Sequence, residues 1–255
     1  MFERAVNLTF RVRGGERMLT LFAPGSPRVP DAIRLAEGWP PAAAVGDGAI
    51  LDGRRLSISS GASLLFEQEA WDGRIPVQQG RPMAEAFAAL CAGLRSGLNG
   101  LPASLCRQAC EAVAAGDARR WLGLGPGLTP AFDDLCVGAM AARRALGDRR
   151  AFPLPDLSRT TEISARYLTL AAEGYFSEPL CDVVAALFGN GDLGRSVGRL
   201  ASVGATSGAD MLTGIRLAVC GLPAAASQAA GDAPPVSTGA RPQGAAYRPS
   251  RSRLA

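Results

Sequence analysis

Two segments that lie far apart along the chain combine glycine, threonine and aspartate in an order suited to binding anions. The first holds Gly123, Gly125, Gly127, Thr129, Pro130, Asp133 and Asp134. Closely spaced glycines leave backbone N–H groups accessible at short range. Thr129 as the N-cap and Pro130 at the first helical position predict that a helix begins here. The N-terminal end of a helix favours an anion.

Asp133 and Asp134 fall in the first turn of this predicted helix. They either complement the helix dipole or hold a divalent cation that bridges to a bound phosphate or carboxylate. A tight loop followed by an acidic first turn, without any ligand, is the alternative explanation of the segment.

The second segment repeats this order with Gly204, Thr206, Ser207, Gly208, Asp210 and Gly214. With one extra residue in the first copy, Thr129, Asp134 and Gly138 match Thr206, Asp210 and Gly214. If the two helix ends face each other, Asp134 and Asp210 share one polar pocket. Gly138 and Gly214 each cost about 1 kcal/mol relative to Ala inside a helix, and a close approach of the two helices would explain them.

The two segments supply most of the candidate site residues. The predicted catalytic residues are Thr129, Asp133, Asp134 and Asp210; the predicted anion-binding residues are Gly125, Gly127, Thr206, Ser207 and Gly208; and the predicted metal ligands are Asp134, Asp210 and Glu173. Glu173 lies between the segments and is either a third carboxylate of the pocket or an ordinary charge at a helix end. Arg159 and Arg166 either clamp a substrate carboxylate or lie on the surface.

The composition restricts the available chemistry. The chain has no His, and all 27 of its basic residues are Arg. A Ser-His-Asp triad, a P-loop lysine, a Schiff base and a His-ligated zinc site are therefore excluded within this chain. The six Cys form no CxxC pair and are expected to behave as small hydrophobic residues. Carboxylates, hydroxyls, Arg, backbone amides and a bound metal remain.

The first 80 residues carry strand patterns. Alternating apolar residues from Val6 to Val12, the turn at Gly14-Gly15 and the run Met18–Phe22 predict a hairpin. A second hairpin is predicted from Ala49–Leu51 and Leu56–Ile58, joined at Asp52-Gly53.

Helical patterns follow. They cover Met83–Leu94, Ala103–Val113, Phe132–Leu146, a helix capped by Ser158 that runs to Ala172, Glu178–Phe188, Leu193–Val203 and Ala209–Cys220. The predicted fold class is α+β: a small N-terminal β-rich domain (residues 1–80) followed by a larger, mostly helical domain (residues 81–224). Residues 225–255 are rich in Ala, Gly, Pro, Ser and Arg, and are predicted to be a disordered tail.

The charge distribution argues against nucleic acid as a partner. The net charge is +4, and most of it comes from four Arg in the tail. No basic face with interleaved aromatic residues is visible. The chain has no apolar run of about 18 residues and no signal peptide at its start, so neither a membrane span nor export is expected. A cytoplasmic location is the expectation.

The combined motifs resemble the AllH family, which contains a subunit of bacterial oxamate carbamoyltransferase. The residues that carry the resemblance are Gly125–Pro130, Asp133, Asp134, Thr160, Thr161, Ile163, Ser164, Glu173, Gly174, Phe176–Pro179, Gly204 and Thr206–Asp210. The resemblance extends over about residues 5–222 and is looser in the N-terminal half.

The resemblance implies a complex with two other subunits that converts oxalurate and phosphate into oxamate and carbamoyl phosphate, with Mg²⁺, in allantoin catabolism. Both substrates are small anions, which suit glycine-rich helix N-termini. A carboxylate-held Mg²⁺ could polarise the carbamoyl carbonyl or bind phosphate.

The chain departs from the family pattern at three positions. Ser-Gly stands in the family where this chain has Ala131-Phe132, and His is common where it has Ala205. Phe132 is bulky at a position where close approach of a ligand is expected. These departures leave two alternatives open: a different substrate, or a non-catalytic scaffold subunit of such a complex. A further hypothesis, independent of the departures, is a stand-alone Mg²⁺-dependent hydrolase built on helix-end carboxylates.

Overall fold

A computed structural model of the chain describes residues 4–12, 15–37, 39, 41, 43–65, 71–92, 101, 103–148, 154 and 156–220. Within these residues, two three-stranded sheets precede all seven α-helices. The predicted α+β class is therefore confirmed. The predicted disordered tail, residues 225–255, lies outside the described residues.

The first sheet contains the first predicted hairpin. Strands β1 (Ala5–Val12) and β2 (Gly15–Phe22) pair antiparallel, with Leu8 opposite Leu19. A short strand β3 (Ala32–Arg34) adds to β2 in parallel. The sequence analysis did not predict β3, because three residues that follow a proline-rich stretch carry no detectable periodicity.

The second sheet contains the second predicted hairpin. Strands β4 (Ala49–Asp52) and β5 (Arg55–Ile58) pair antiparallel around Gly53, and β6 (Ser63–Leu65) pairs antiparallel with β5. Leu21 of the first sheet and Leu56 of the second are completely buried in one small apolar cluster. This cluster supports the loops that follow β2.

The helical part begins at residue 84. Its α-helices are α1 (Ala84–Ala92), α2 (Ala103–Ala115), α3 (Ala131–Ala145), α4 (Glu162–Glu173), α5 (Glu178–Leu187), α6 (Leu193–Ala201) and α7 (Ser207–Cys220). The change from strand to helix falls between Leu65 and Ala84. Residues 1–222 together form one compact unit. None of the described helices is long and apolar enough to cross a membrane.

Helix α3 is the centre of the helical core. Every residue from Ala131 to Ala142 is buried, and α7 packs along α3. A Cβ atom at Gly138 would lie 2.0 Å from the carbonyl oxygen of Met211, and one at Gly214 would lie 2.0 Å from that of Leu135. The close helix–helix approach expected from these two glycines is confirmed.

Two predicted helix caps were wrong. Helix α3 begins after Pro130, and no side chain caps it, so Thr129 is not its N-cap. Ser158 does not cap α4. It lies in a 3₁₀ turn (Leu157–Arg159) that Asp156 caps, and the hydroxyl of Thr161 accepts the N–H of Ser164 at 3.1 Å at the start of α4. Asp156 and Thr161 are both good capping residues, and each begins its own helical turn.

The loop after β2 is fastened to α5. The N–H of Arg28 donates to Oε2 of Glu178 at 2.9 Å, and the N–H of Glu178 donates to the carbonyl of Arg28 at 2.9 Å. This reciprocal pair holds residues of the N-terminal part beside the ends of the helices.

Candidate functional site

The two glycine-threonine segments meet in space. Oγ1 of Thr129 lies 2.8 Å from Oγ of Ser207, so a hydrogen bond joins the loop before α3 to the first residue of α7. Because Thr129 does not cap α3, its hydroxyl is available for this contact. Asp134 and Asp210 both lie in the first turn of their helices, as predicted.

Glycines allow the tight packing around this junction. Gly125 has φ of 126°, and a Cβ there would lie 2.5 Å from the backbone nitrogen of Ala131. A Cβ at Gly208 would lie 1.8 Å from the carbonyl oxygen of Leu200 in α6. Both positions therefore require glycine for packing, and their predicted role in anion binding stays a prediction. Gly127 is exposed, with open space around it.

Asp133 holds the surrounding loops together. It is buried, with 1% of its surface exposed. Its Oδ1 accepts the N–H of Gly123 at 2.9 Å, and its Oδ2 accepts the hydroxyls of Ser164, at 2.6 Å, and of Thr160. These contacts connect the first segment to α4 and satisfy the carboxylate, so the geometry gives Asp133 a positioning role.

Asp134 has different surroundings. It is also buried, with 2% of its surface exposed, but it lines a cavity. Among the described residues, its Oδ2 has no hydrogen-bond partner. Burial raises the pKa of Asp134 to about 7. Weaker effects are hydrogen bonds from Ser207 and Thr129, which lower the pKa, and the charges of Asp210 and Asp133, which raise it. A carboxyl group with this pKa can gain or lose a proton near neutral pH.

The Thr129 and Ser207 hydroxyls form a short chain that ends at Asp134. Both side chains act on the carboxyl through hydrogen bonds that lower its pKa, and they also contact each other. Each hydroxyl has one proton, so when one donates to the other, the second is left to donate to Asp134. The arrangement stabilises the ionised carboxylate on one side and leaves Oδ2 buried without a hydrogen-bond partner among the described residues.

The cavity has a volume of about 230 Å³. Its polar lining consists of Thr129, Asp134, Tyr167, Tyr175, Ser177 and Ser207, and its apolar lining includes Phe22, Val29, Val137, Leu170, Val203 and Met211. Helices α3, α4 and α7 and the loop after β2 all contribute. Ligand sites of this kind combine a mostly apolar wall with a few convergent polar groups.

Sequence reasoning missed Tyr167 and Ser177. Burial raises the pKa of Tyr167 to about 12, and the nearby Asp134 contributes to the increase. The phenol therefore keeps its proton at neutral pH. Ser177 occupies the N-cap position of α5, but its side chain makes no capping hydrogen bond. The spacing of Ser164 and Tyr167 on one face of α4 was the available signal for Tyr167.

Asp210 and Thr206 belong to the second segment but do not line the cavity. Asp210 is completely buried, and its charge contributes to raising the pKa of Asp134. The carbonyl of Thr206 accepts the N–H of Asp210 at 3.0 Å. The structure thus places Asp210 close enough to influence Asp134 without exposing it to a ligand.

The predicted three-carboxylate metal site does not form within the described residues. No group of three or more Asp, Glu or Cys side chains there is arranged to hold a metal ion. Glu173 is exposed at the C-terminal end of α4 and does not line the cavity. The residues present therefore do not fit a metal centre built from Asp134, Asp210 and Glu173.

The departures from the family pattern lie away from the cavity. Phe132 is completely buried, stacks on Trp121 with ring centroids 6.1 Å apart, and donates its N–H to the carbonyl of Leu124. The expectation that Phe132 crowds a ligand was therefore wrong, because this side chain points into the core. Ala131 is buried and Ala205 is exposed, and neither lines the cavity.

The two candidate substrate-clamping arginines have structural partners. The guanidinium of Arg159 donates to the backbone carbonyls of Arg119 and Arg120, and Arg166 forms an ion pair with Asp31. Neither arginine lines the cavity.

Residues 121–219 match a family model described as oxamate carbamoyltransferase subunit AllH. The matched region contains both glycine-threonine segments and helices α3 to α6, with most of α7. The resemblance proposed from the sequence is confirmed over this region. The description names a subunit, which implies an enzyme with other subunits. No solved structure matches the chain.

Proposed function

We propose that this chain is the AllH-type subunit of an oxamate carbamoyltransferase-like complex. The reaction would transfer a carbamoyl group between oxalurate, or a related ureido acid, and phosphate. The observation that carries the proposal is Asp134, a buried aspartate with a raised pKa that lines a cavity within the region that matches the family.

The proposed reaction needs one proton to change position. A phosphate oxygen attacks the carbamoyl carbon, the bond from that carbon to the amide nitrogen of oxalurate breaks, and this nitrogen leaves as oxamate after gaining a proton. Hydrogen phosphate supplies that proton. Asp134, with a pKa of about 7, suits the role of accepting a proton from phosphate and returning it to the leaving nitrogen.

The hydroxyl side chains assist this role. Thr129 and Ser207 hold the ionised state of Asp134 in place through their hydrogen-bonded chain. Tyr167 keeps its proton and can donate a hydrogen bond to the carbamoyl oxygen, on which negative charge develops during attack. Asp133 and Asp210 act through position and charge and do not line the cavity.

Mg²⁺ and the two other subunits enter the proposal through the resemblance. The described residues do not form a three-carboxylate metal site, so we assign no step of the transfer to Mg²⁺. None of the described lining residues is Arg, and the chain has no Lys or His. We therefore place recognition of the phosphate charge outside this cavity, on the partner subunits. A cytoplasmic location remains part of the proposal.

The scaffold alternative rested on Ala131, Phe132 and Ala205. Because none of these residues lines the cavity, their departure from the family pattern does not remove a group from the proposed site. The hypothesis of a stand-alone hydrolase gains no support either. It depended on a metal held by carboxylates at helix ends, and the described residues form no such three-carboxylate site.

The test is reconstitution. The full chain is co-expressed with the two other subunits of an oxamate carbamoyltransferase, and the purified complex is incubated with oxalurate, phosphate and Mg²⁺. We expect carbamoyl phosphate and oxamate to form only when this chain is present. Equal product formation by the companion subunits alone would contradict the proposal, and hydrolysis of oxalurate by this chain alone would favour the hydrolase.

A further inference from the structure

An arginine that precedes the helical part contacts a tyrosine that lines the cavity. Arg74 and Tyr175 lie opposite each other in an antiparallel β-bridge. Phe176 donates its N–H to the carbonyl of Gly73 at 2.9 Å, and a Cβ at Gly73 would lie 2.6 Å from the carbonyl oxygen of Phe176. Directly opposed residues of an antiparallel pair place their side chains next to each other. The backbone pairing therefore positions Arg74 beside Tyr175.

The guanidinium of Arg74 contacts Tyr175 in two ways. Its Cζ atom lies 4.7 Å from the centroid of the ring, and its Nη2 donates a hydrogen bond to the hydroxyl oxygen. Because this oxygen accepts from Arg74, the proton of the hydroxyl is left to donate to another group. The bond from Arg74 also strengthens the hydroxyl as a donor, since linked hydrogen bonds polarise one another. A ligand in the cavity therefore meets, in Tyr175, a lining side chain that a positive charge supports.

The positive charge of Arg74 suits the anionic end of the proposed substrate. Oxalurate has a carboxylate at one end and the carbamoyl group at the other. The carboxylate is disfavoured beside Asp134, which carries the same charge when it is ionised. Arg74 is exposed, and within the described part of the chain no carboxylate forms an ion pair with it. Its charge can therefore act on a bound anion.

We infer that Tyr175 and Arg74 recognise the carboxylate of the ureido acid: the hydroxyl of Tyr175 donates to it, and the guanidinium of Arg74 stabilises its charge. The inference rests on the proposed function and gives its substrate an orientation, with the carboxylate toward Tyr175 and the carbamoyl group toward Asp134. Arg74 acts through Tyr175 and is a positioning residue. It lies outside residues 121–219, the region that matches the family.

Calorimetric titration of the full chain with oxalurate and with oxaluramide tests the inference. The two compounds differ only at one end, where a neutral amide in oxaluramide replaces the carboxylate of oxalurate. We expect oxaluramide to bind at least about tenfold more weakly, because the charge-assisted hydrogen bond is lost. Oxaluramide binding as tightly as oxalurate, or no binding of oxalurate, would overturn the inference.

Variants separate recognition of the carboxylate from a structural role. Arg74→Gln should weaken oxalurate binding about tenfold and leave oxaluramide binding unchanged, because only oxalurate carries the charge. Arg74→Lys keeps a positive charge and should bind oxalurate more tightly than Arg74→Gln does. Tyr175→Phe keeps the ring but removes the donor, and should also weaken oxalurate binding more than oxaluramide binding. Arg81→Gln is the matched control at another exposed arginine that does not line the cavity, and it should bind oxalurate as the wild type does.

An equal loss of affinity for both compounds in Arg74→Gln would indicate a purely structural role and would overturn the inference. Kinetics of the reconstituted complex separate it from the proposed function: Arg74→Gln should raise the KM for oxalurate about tenfold and leave kcat within about twofold of the wild type. If the complex transfers a carbamoyl group from oxalurate with a KM that Arg74→Gln leaves unchanged, only this inference fails. Arg74-dependent binding of oxalurate without any transfer by the complex would contradict only the proposed function.

Discussion

Two adjacent aspartates in one helical turn have different roles. Asp133 is satisfied by an amide and two hydroxyls, whereas Asp134 lines a cavity and has one buried oxygen without a hydrogen-bond partner among the described residues. Successive helix residues are rotated by about 100°, so one carboxylate faces α4 and the preceding loop and the other faces the start of α7. The same residue type thereby serves as an anchor at one position and as the proposed proton-transfer group at the next.

The raised pKa of Asp134 predicts a pH-dependent loss of stability. The pKa is about 7 in the folded chain against an ordinary value of 3.8, so the folded state holds this proton more tightly than the unfolded state. The protonated group contributes fully to the free energy of unfolding below about pH 4. This contribution, of up to about 4 kcal/mol, is lost as the pH rises through about 7. Asp134→Asn removes this titration.

Urea unfolding of the wild type and Asp134→Asn at pH 5 and pH 8, at constant ionic strength, checks this prediction. We expect the free energy of unfolding of the variant, relative to that of the wild type, to increase from pH 5 to pH 8. A difference between the two proteins that is the same at pH 5 and pH 8 would show that Asp134 does not titrate in this range.

The sequence predicted that both aspartates lie in a first helical turn near a second such turn, but it could not assign their roles. The assignment depends on Ser164, Thr160 and Ser207, which reach the two carboxylates from distant parts of the chain. The role of Thr129 was mispredicted for the same reason. Its residue type and position favour a helix N-cap, but its hydroxyl forms a hydrogen bond with Ser207 instead.

At the scale of elements, the packing of α3 against α7 positions the site. Gly138 and Gly214 bring each helix backbone against the other, and this contact sets the distance between Asp134 and the start of α7. The amphipathic patterns predicted these helices closely, and the interior glycines indicated their close contact. The short β3 and the 3₁₀ turn were not predicted, because their positions depend on tertiary pairing and on competing caps.

Gly138→Ala is expected to destabilise the fold by about 1–3 kcal/mol, because the added Cβ would lie 2.0 Å from the backbone oxygen of Met211. Gly198→Ala is the matched control: Gly198 is also inside a helix, but open space surrounds it, so this change should stabilise by up to about 1 kcal/mol. Urea unfolding of both variants measures the difference. Equal effects of the two substitutions would contradict the close helix contact.

At the scale of the whole molecule, the N-terminal strands help to enclose the site. Phe22 and Val29 line the cavity, and the reciprocal bonds between Arg28 and Glu178 hold this segment against α5. This contribution was not predictable from the sequence, because nothing local in the segment 22–30 marks it as part of a cavity. The site is therefore a property of the assembled fold, with its chemistry drawn from the matched region and part of its wall from outside it.

The central claim is that Asp134 moves the proton in carbamoyl transfer, and steady-state kinetics of the reconstituted complex tests it most directly. Asp134→Asn should lower kcat at least about 100-fold while remaining folded, because Asn keeps the shape of the side chain but cannot exchange a proton. Glu85→Gln, an equivalent change at an exposed carboxylate in α1, should leave kcat within about twofold of the wild type. If Asp134→Asn matched Glu85→Gln in rate, the account would be contradicted.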